Sequence, residues 1–153
     1  MNEIELTIEQ SKIYNGVICP YCKGISEMIK SKEIYGKDYG WLYICKPCDA
    51  YVGCHKNSKR PLGRLANKNL RKLKNEAHRY FDKIWKLKIL DRTKAYNWLS
   101  EQLNIPFDYT HIGMFSEKTC RTVVEISKRA LNDNRRLDMD FGVEPVTEFF
   151  ETI

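Results

Sequence analysis

The chain has 153 residues, of which 42% are hydrophobic and 30% charged, and this composition excludes a disordered protein and suits one domain or two very small ones. It has no run of about 18 apolar residues, and its start, MNEIELTIEQ, lacks the basic and apolar parts of a secretory signal. The sequence therefore predicts a cytoplasmic protein without a membrane partner, in which reduced thiols favour metal binding over disulfides.

The charge is concentrated in the middle of the chain. The formal net charge is +6, but residues 54–94 contain 14 basic and 3 acidic residues, a net charge of +11, whereas residues 133–153 carry a net charge of −4. A basic segment of this kind attracts phosphate backbones and other anionic surfaces. The simpler interpretation is that these charges form the solvated face of a helix.

Short strands are predicted between residues 12 and 53, where apolar, β-branched and aromatic residues recur between turn residues, as in GISEMIKS and AYVG. Two Cys-x-x-Cys pairs stand in this stretch, 22 residues apart, and consist of Cys19, Cys22, Cys45 and Cys48. The spacing is typical of a four-thiolate zinc site, in which each pair supplies two sulfurs. Because a closed four-sulfur site is structural, the sequence predicts one structural zinc ion per chain.

The other cysteines and histidines leave alternatives open. Iron is an alternative metal, since a tetrahedral sulfur site accepts it, and disulfides are an alternative to any metal. Cys54 and His55 could form a second site with His78 or His111, or one of them could replace an assigned cysteine. The favoured interpretation is that Cys54 packs, that His55 begins the basic surface and that Cys120 is a buried thiol.

Three helices are predicted after the cysteine pairs. The first follows a capping Asn67, and its apolar residues recur at helical spacing as far as residues 88–90. Asp91 and Ser116 are the predicted caps of the second and third helices.

The predicted fold class is α+β, with an N-terminal four-cysteine zinc ribbon of short antiparallel strands followed by a three-helix C-terminal part. The predicted domains are the zinc ribbon at 12–56, a basic helical domain at 57–132 and an acidic C-terminal tail at 133–153.

Several longer phrases of the chain are familiar. EIYGKDYGWLYICKPCDAYVGCHK, RPLGRLANKNLRKLKNEAHRYFDKIWK and AYNWLSEQL resemble a zinc-finger-containing family found in phages and prophages, over about residues 17–130. The resemblance implies a zinc ribbon joined to a helical part, in a phage protein that acts in the host cell. It implies a fold and a metal but no mechanism.

The favoured function is binding of nucleic acid, DNA or RNA, through the loop HKNSKRPLGR and the helix after it. The candidate contact residues are His55, Lys56, Lys59, Arg60, Arg64, Lys68, Arg71 and Lys72. Aromatic residues crowd the ribbon nearby, and aromatics beside Lys and Arg suit stacking on unpaired bases with phosphate contact. These aromatics are Tyr21, Tyr35, Tyr39, Trp41, Tyr43 and Tyr51. Some of them are expected to form the core of the ribbon instead.

Two other functions fit the sequence. A protein-interaction factor that acts on a host or phage complex would use the acidic tail, in which carboxylates alternate with Phe141, Phe149 and Phe150. A metal-dependent nuclease would use His55, His78 and Asp82, but their spacing matches no nuclease motif. The sequence thus favours a non-enzymatic function and predicts no catalytic residue.

Overall fold

The computed structural model describes residues 6–139, with side chains up to residue 134. These residues form two compact units, the N-terminal unit up to Lys72 and the C-terminal unit from Leu73 onward. Two short helices and a three-stranded antiparallel sheet come first along the chain, and three longer helices follow. The predicted α+β fold class is therefore confirmed. The limits predicted for the three domains stay a prediction.

The N-terminal unit contains a helix whose last residues, 12–14, fall where the sequence predicted strands. Helix α1 covers Ile8–Tyr14 because Thr7 and Gln10 form a reciprocal capping box. The Thr7 hydroxyl accepts from the Gln10 N–H at 3.1 Å, and the Gln10 side chain accepts from the Thr7 N–H at 2.9 Å. A second short helix, α2 (Lys32–Tyr35), ends at Gly36, whose φ of 72° is the left-handed conformation that glycine adopts without strain.

The sheet consists of β1 (Glu27–Lys30), β2 (Trp41–Cys45) and β3 (Ala50–Gly53), in that order. In the register of the sheet, Trp41 lies opposite Lys30, and Cys45 lies opposite Ala50. Leu42 and Ile44 of the central strand are buried on the face opposite to that of Trp41.

The outer edge of β3 is covered by the chain that follows it. Tyr51 and Ala66 exchange both backbone hydrogen bonds, each 3.0 Å long, and the Leu62 N–H donates to the Gly53 carbonyl at 2.9 Å. An isolated antiparallel bridge between Cys54 and Pro61 continues this pairing.

Three longer helices follow: α3 (Lys68–Lys86), α4 (Arg92–Leu103) and α5 (Glu117–Met139). The three predicted caps are confirmed. The Asn67 side chain accepts from the Leu70 N–H at 3.0 Å, the Asp91 carboxylate from the Lys94 N–H at 2.8 Å, and the Ser116 hydroxyl from the Thr119 N–H at 3.3 Å. Between α4 and α5 run two single turns of 3₁₀ helix, Phe107–Tyr109 and Ile112–Met114.

The helices of the C-terminal unit bury apolar residues against one another. Phe81 of α3 is fully buried and meets the Tyr96 ring of α4 edge-to-face at 4.9 Å. The buried residues of α5 include Cys120, the predicted buried thiol, and Val123, Val124, Ile126, Ser127 and Leu131. Helix α5 extends to Met139, into the predicted acidic tail, and the rest of that tail lies outside the described residues. None of the helices in residues 6–139 has the length and apolarity that crossing a bilayer requires.

Candidate metal centre and nucleic-acid interface

The four cysteines of the two Cys-x-x-Cys pairs converge on one point. Their sulfurs all lie within 4.8 Å of one another, and the Cys22 and Cys45 sulfurs are 3.6 Å apart. In a tetrahedral zinc site with Zn–S bonds of about 2.3 Å, the sulfurs are about 3.8 Å apart. Among residues 6–134 this is the only group of cysteine, histidine and carboxylate side chains placed to share a metal ion. The donor set and its spacing therefore fit zinc.

Two tight turns present these sulfurs. In the first turn, the Cys19 N–H donates to the Gly24 carbonyl at 2.8 Å, and the Gly24 N–H donates to the Cys22 sulfur at 3.3 Å. A Cβ atom on Gly24 would lie 3.2 Å from that sulfur, so a side chain would crowd the ligand. Lys23, with φ of 65°, and Asp49 in the second turn, with φ of 49°, hold the left-handed positions.

The turns and the sheet make the sulfur cluster part of a small core. Cys19 and Cys45 are buried with the apolar residues Ala50, Val52 and Leu65. With four sulfurs, the coordination shell is complete and no position is open to a substrate. The chain thus has one structural zinc site, as the sequence predicted.

The thiols differ in their affinity for protons. A hydrogen bond from the Gly24 N–H, helped by the Cys45 side chain, lowers the pKa of Cys22 to about 7. Burial raises the pKa of Cys45, and burial together with the neighbouring thiols raises the pKa of Cys48 to about 12. Zinc binds thiolates, so the ion must displace the protons that Cys45 and Cys48 hold at neutral pH.

We expect the apparent zinc affinity to fall as the pH is lowered, by roughly tenfold per pH unit for each proton displaced. Cys45 and Cys48 contribute to this dependence on both sides of neutrality. Cys22 binds its proton only as the pH falls through about 7, so the dependence should steepen below that value. Competition with a chromophoric chelator of known pH dependence measures the affinity. A pH-independent affinity would contradict ligation by four thiolates.

The remaining cysteines and histidines form no second metal cluster within the described residues. Cys54 is half-buried, and burial raises its pKa, whereas His55 is exposed. Nδ1 of His78 lies 3.2 Å from the Asp82 carboxylate one turn further along α3. The other Asp82 oxygen accepts from the Trp85 indole N–H at 3.3 Å, so both nuclease candidates on α3 are engaged in local contacts of the helix.

The loop after β3 folds into a compact turn, residues 55–60, which we call the basic turn. The His55 N–H donates to the Arg60 carbonyl at 2.9 Å, and the Ser58 N–H donates to the His55 carbonyl at 3.0 Å. This part of the predicted loop is therefore held by internal hydrogen bonds. Four of the candidate contact residues are exposed on this turn, namely His55, Lys56, Lys59 and Arg60.

The other four candidate contact residues divide into two groups. Lys68 and Lys72 are exposed on the first turns of α3, whereas Arg64 is half-buried. Arg71 is turned into the N-terminal unit, where its Nη1 donates to the Asp49 and Ala66 carbonyls at 2.8 and 2.7 Å.

The predicted aromatics likewise serve different purposes. The Tyr21 hydroxyl accepts from the Asn67 N–H at 3.1 Å, and the Tyr43 hydroxyl donates to the Lys59 carbonyl at 2.8 Å. Both side chains therefore hold the N-terminal unit together, and Tyr43 also fixes the basic turn against β2. The Trp41 side chain, in contrast, is only half-buried.

A groove of about 640 Å³ lies between the basic turn and the start of β2, and we call it the Trp41 groove. It is lined by residues 38–41 and 55–59 and by Lys30. Lys30 was not among the candidate contact residues, because these were all chosen from the basic segment after the second cysteine pair, and Lys30 lies before that pair. Only its pairing with Trp41 in the sheet brings it to the groove, and strand register is the signal that could have found it.

Comparison with protein families identifies a match over most of the chain. Residues 15–130 match the family model described as a zinc-finger-containing domain, which covers most of the chain and both cysteine pairs. No curated protein and no solved structure matches the chain. Because the match covers more than half of the chain and includes the four-sulfur cluster, the chain belongs to the family of the zinc-finger-containing domain.

Proposed function

We propose that the protein is a phage-type zinc-ribbon protein that binds nucleic acid, DNA or RNA, in the cytoplasm of a host cell. The basic turn is the observation that supports this function best. It presents several cationic side chains from a backbone that the neighbouring sheet holds in place. The phage context rests on the sequence resemblance.

The cations of the basic turn are not neutralised by the described part of the protein. Lys56, Lys59 and Arg60 form no ion pair with any described carboxylate, whereas Lys23 and Lys46 of the same unit pair with Glu side chains at 3.2 and 3.3 Å. Like charges held on one turn repel each other, and an anion between them relieves that repulsion. Phosphate oxygens are the anions that a run of Lys and Arg engages in nucleic acids.

The start of α3 adds two further cations. Lys68 and Lys72 stand four residues apart, which places them on one face of the helix, and both are exposed. Arg71 lies between them in sequence, but its guanidinium is held by backbone carbonyls of the N-terminal unit. We therefore assign phosphate contact to Lys68 and Lys72 and a supporting role to Arg71.

A salt titration of the zinc-loaded protein tests this function. Binding to single-stranded DNA, duplex DNA and RNA is measured by fluorescence anisotropy between about 0.05 and 0.2 M salt. We expect the logarithm of the binding constant to fall linearly with the logarithm of the salt concentration, by about 0.7 to 0.9 for each phosphate engaged. Absence of binding to all three at low salt would overturn the proposal and favour the alternative, a protein-interaction factor that acts on a host or phage complex.

A further inference from the structure

The Trp41 groove has features that phosphate contact alone does not require. Trp41 is the first residue of β2, and Lys30 lies directly opposite it on β1, so the two side chains share one face of the sheet. Nζ of Lys30 lies 4.1 Å from the centroid of the indole ring, and Nζ of Lys59 lies 5.1 Å from it. Two ammonium groups, one from β1 and one from the basic turn, thus lie close to one aromatic ring.

The position of Lys59 is fixed by the sheet. The Tyr43 hydroxyl donates to the Lys59 carbonyl at 2.8 Å, and Tyr43 lies on the same face of β2 as Trp41. The basic turn is therefore anchored beside the indole ring before any ligand arrives. Neither Lys30 nor Lys59 forms an ion pair with a carboxylate in residues 6–134.

The groove has room and charge for a nucleotide. Its volume of about 640 Å³ falls within the range of roughly 300–1,000 Å³ found for small-molecule sites. Three lysines line it, Lys30, Lys56 and Lys59, and they outnumber the one carboxylate, that of Asp38. The Asp38 carboxylate accepts from the Gly40 N–H at 2.9 Å, so it is already engaged in shaping the turn that leads into β2.

A simpler role for these contacts is to cover the ring, since lysine stems pack on apolar surfaces and an ammonium is attracted to an indole face. That attraction is weak at an exposed site, and the stacking of a base on an aromatic side chain is stronger. A base can therefore displace one ammonium from the ring. The displaced ammonium then lies beside the phosphate that the same nucleotide carries.

We propose that Trp41 is a stacking platform for an unpaired base and that Lys30 and Lys59 contact the phosphates next to that base. The inference rests on the proposed function and narrows it to single-stranded nucleic acid. In a duplex, each base is already stacked between its neighbours and has no free face to offer. A single strand presents its bases to an aromatic side chain without the free-energy cost of unstacking and unpairing a duplex base.

The test uses the full-length, zinc-loaded protein and a pyrimidine oligonucleotide of about ten residues, a length typical of single-strand sites. Four ligands are compared: the single strand as DNA, the single strand as RNA, the corresponding duplex, and a strand of the same length in which abasic linkers replace the bases. The abasic strand keeps the phosphates and removes the stacking partner. The variants are Trp41→Leu, which keeps apolar bulk without an aromatic face, and Trp41→Phe, which keeps a smaller face.

We expect the wild-type protein to bind the DNA or RNA single strand about 5- to 150-fold more tightly than the abasic strand. Trp41→Leu should bind the two equally, Trp41→Phe should retain part of the difference, and zinc content should be unchanged in both. Tryptophan fluorescence should be quenched by the base-containing strand in the wild-type protein and much less in Trp41→Phe. A merely structural role of Trp41 would give no such dependence on the bases of the ligand.

Other outcomes would overturn the inference in separable ways. Duplex binding as tight as single-strand binding, or an abasic strand bound as tightly as a normal one, would reject stacking and leave the proposed function standing. A Trp41→Leu variant that still prefers the base-containing strand would place the stacking elsewhere. Failure of every strand to bind would reject the proposed function, and the inference with it.

Discussion

Replacement of Cys45 with Ser is expected to abolish stoichiometric zinc binding and to unfold the N-terminal unit. Cys45 is buried at the end of β2, where its sulfur belongs to the four-sulfur cluster and its backbone pairs with Ala50. Structural zinc contributes about 10–16 kcal/mol in zinc-finger peptides, whereas a whole domain is stable by about 5–15 kcal/mol. Loss of the ion therefore removes about as much stabilising free energy as the whole free energy of unfolding of such a unit.

The measurement is zinc content by elemental analysis, combined with thermal unfolding followed by circular dichroism. We expect zinc to fall from about one ion per chain to well below that value. Helices of the C-terminal unit bury their own core around Phe81 and should keep most of their signal. Cys54→Ser is the matched control, because Cys54 lies in the same unit but outside the cluster. Full zinc occupancy in Cys45→Ser would refute the assigned ligand set.

The second large effect is expected from the double charge reversal Lys56→Glu and Arg60→Glu. Each reversal turns an attraction to phosphate into a repulsion, a change of about 2 kcal/mol for charges about 4 Å apart in water, which salt partly screens. We expect affinity for nucleic acid to fall about 100-fold at low salt. The plot of the logarithm of the binding constant against the logarithm of the salt concentration should become shallower by about 1.5. Thermal stability should change little, since both side chains are exposed.

Reversal of Lys12 and Lys32 to Glu is the matched control. Both side chains are exposed in the same unit, and the change in net charge is identical. Equal losses in the two double variants, measured by anisotropy at the same salt concentration, would show that only net charge matters. A loss confined to the Lys56 and Arg60 pair would support a localised site on the basic turn.

The parts of the fold that local rules determine could be predicted from the sequence. The cysteine spacing predicted the metal site, and the caps at Asn67, Asp91 and Ser116 predicted the starts of three helices. Helix α1 was missed although Thr7 and Gln10 stand at the spacing of a capping box. The sequence predicted short strands from residue 12 onward, so residues 12–14 of this helix were assigned to a strand region.

The composition of the candidate nucleic-acid interface was less predictable because it depends on register and on side-chain direction. Arg71 and Lys72 are neighbours in a basic run, yet Arg71 points at backbone carbonyls and Lys72 at solvent. Lys30 reaches the Trp41 groove only through pairing of β1 with β2. Charge counting along the chain identifies a basic segment but cannot distinguish cations that bind a ligand from those that hold the fold.

The pairing of residues 61–66 along β3 has a consequence for the fate of the protein when zinc is lost. In the folded sheet, β3 offers no free edge, and the open edge among the described strands is β1, which is short and carries Glu27 and Lys30. Charged, short edges resist pairing with another copy of the chain. The inner strand, WLYIC, has no charge and no proline, and most of its residues are β-branched or aromatic. A segment of this composition templates aggregation once it is exposed. We therefore expect zinc to protect against self-association as well as against unfolding, so that chelation in concentrated solution yields aggregates instead of a soluble unfolded chain.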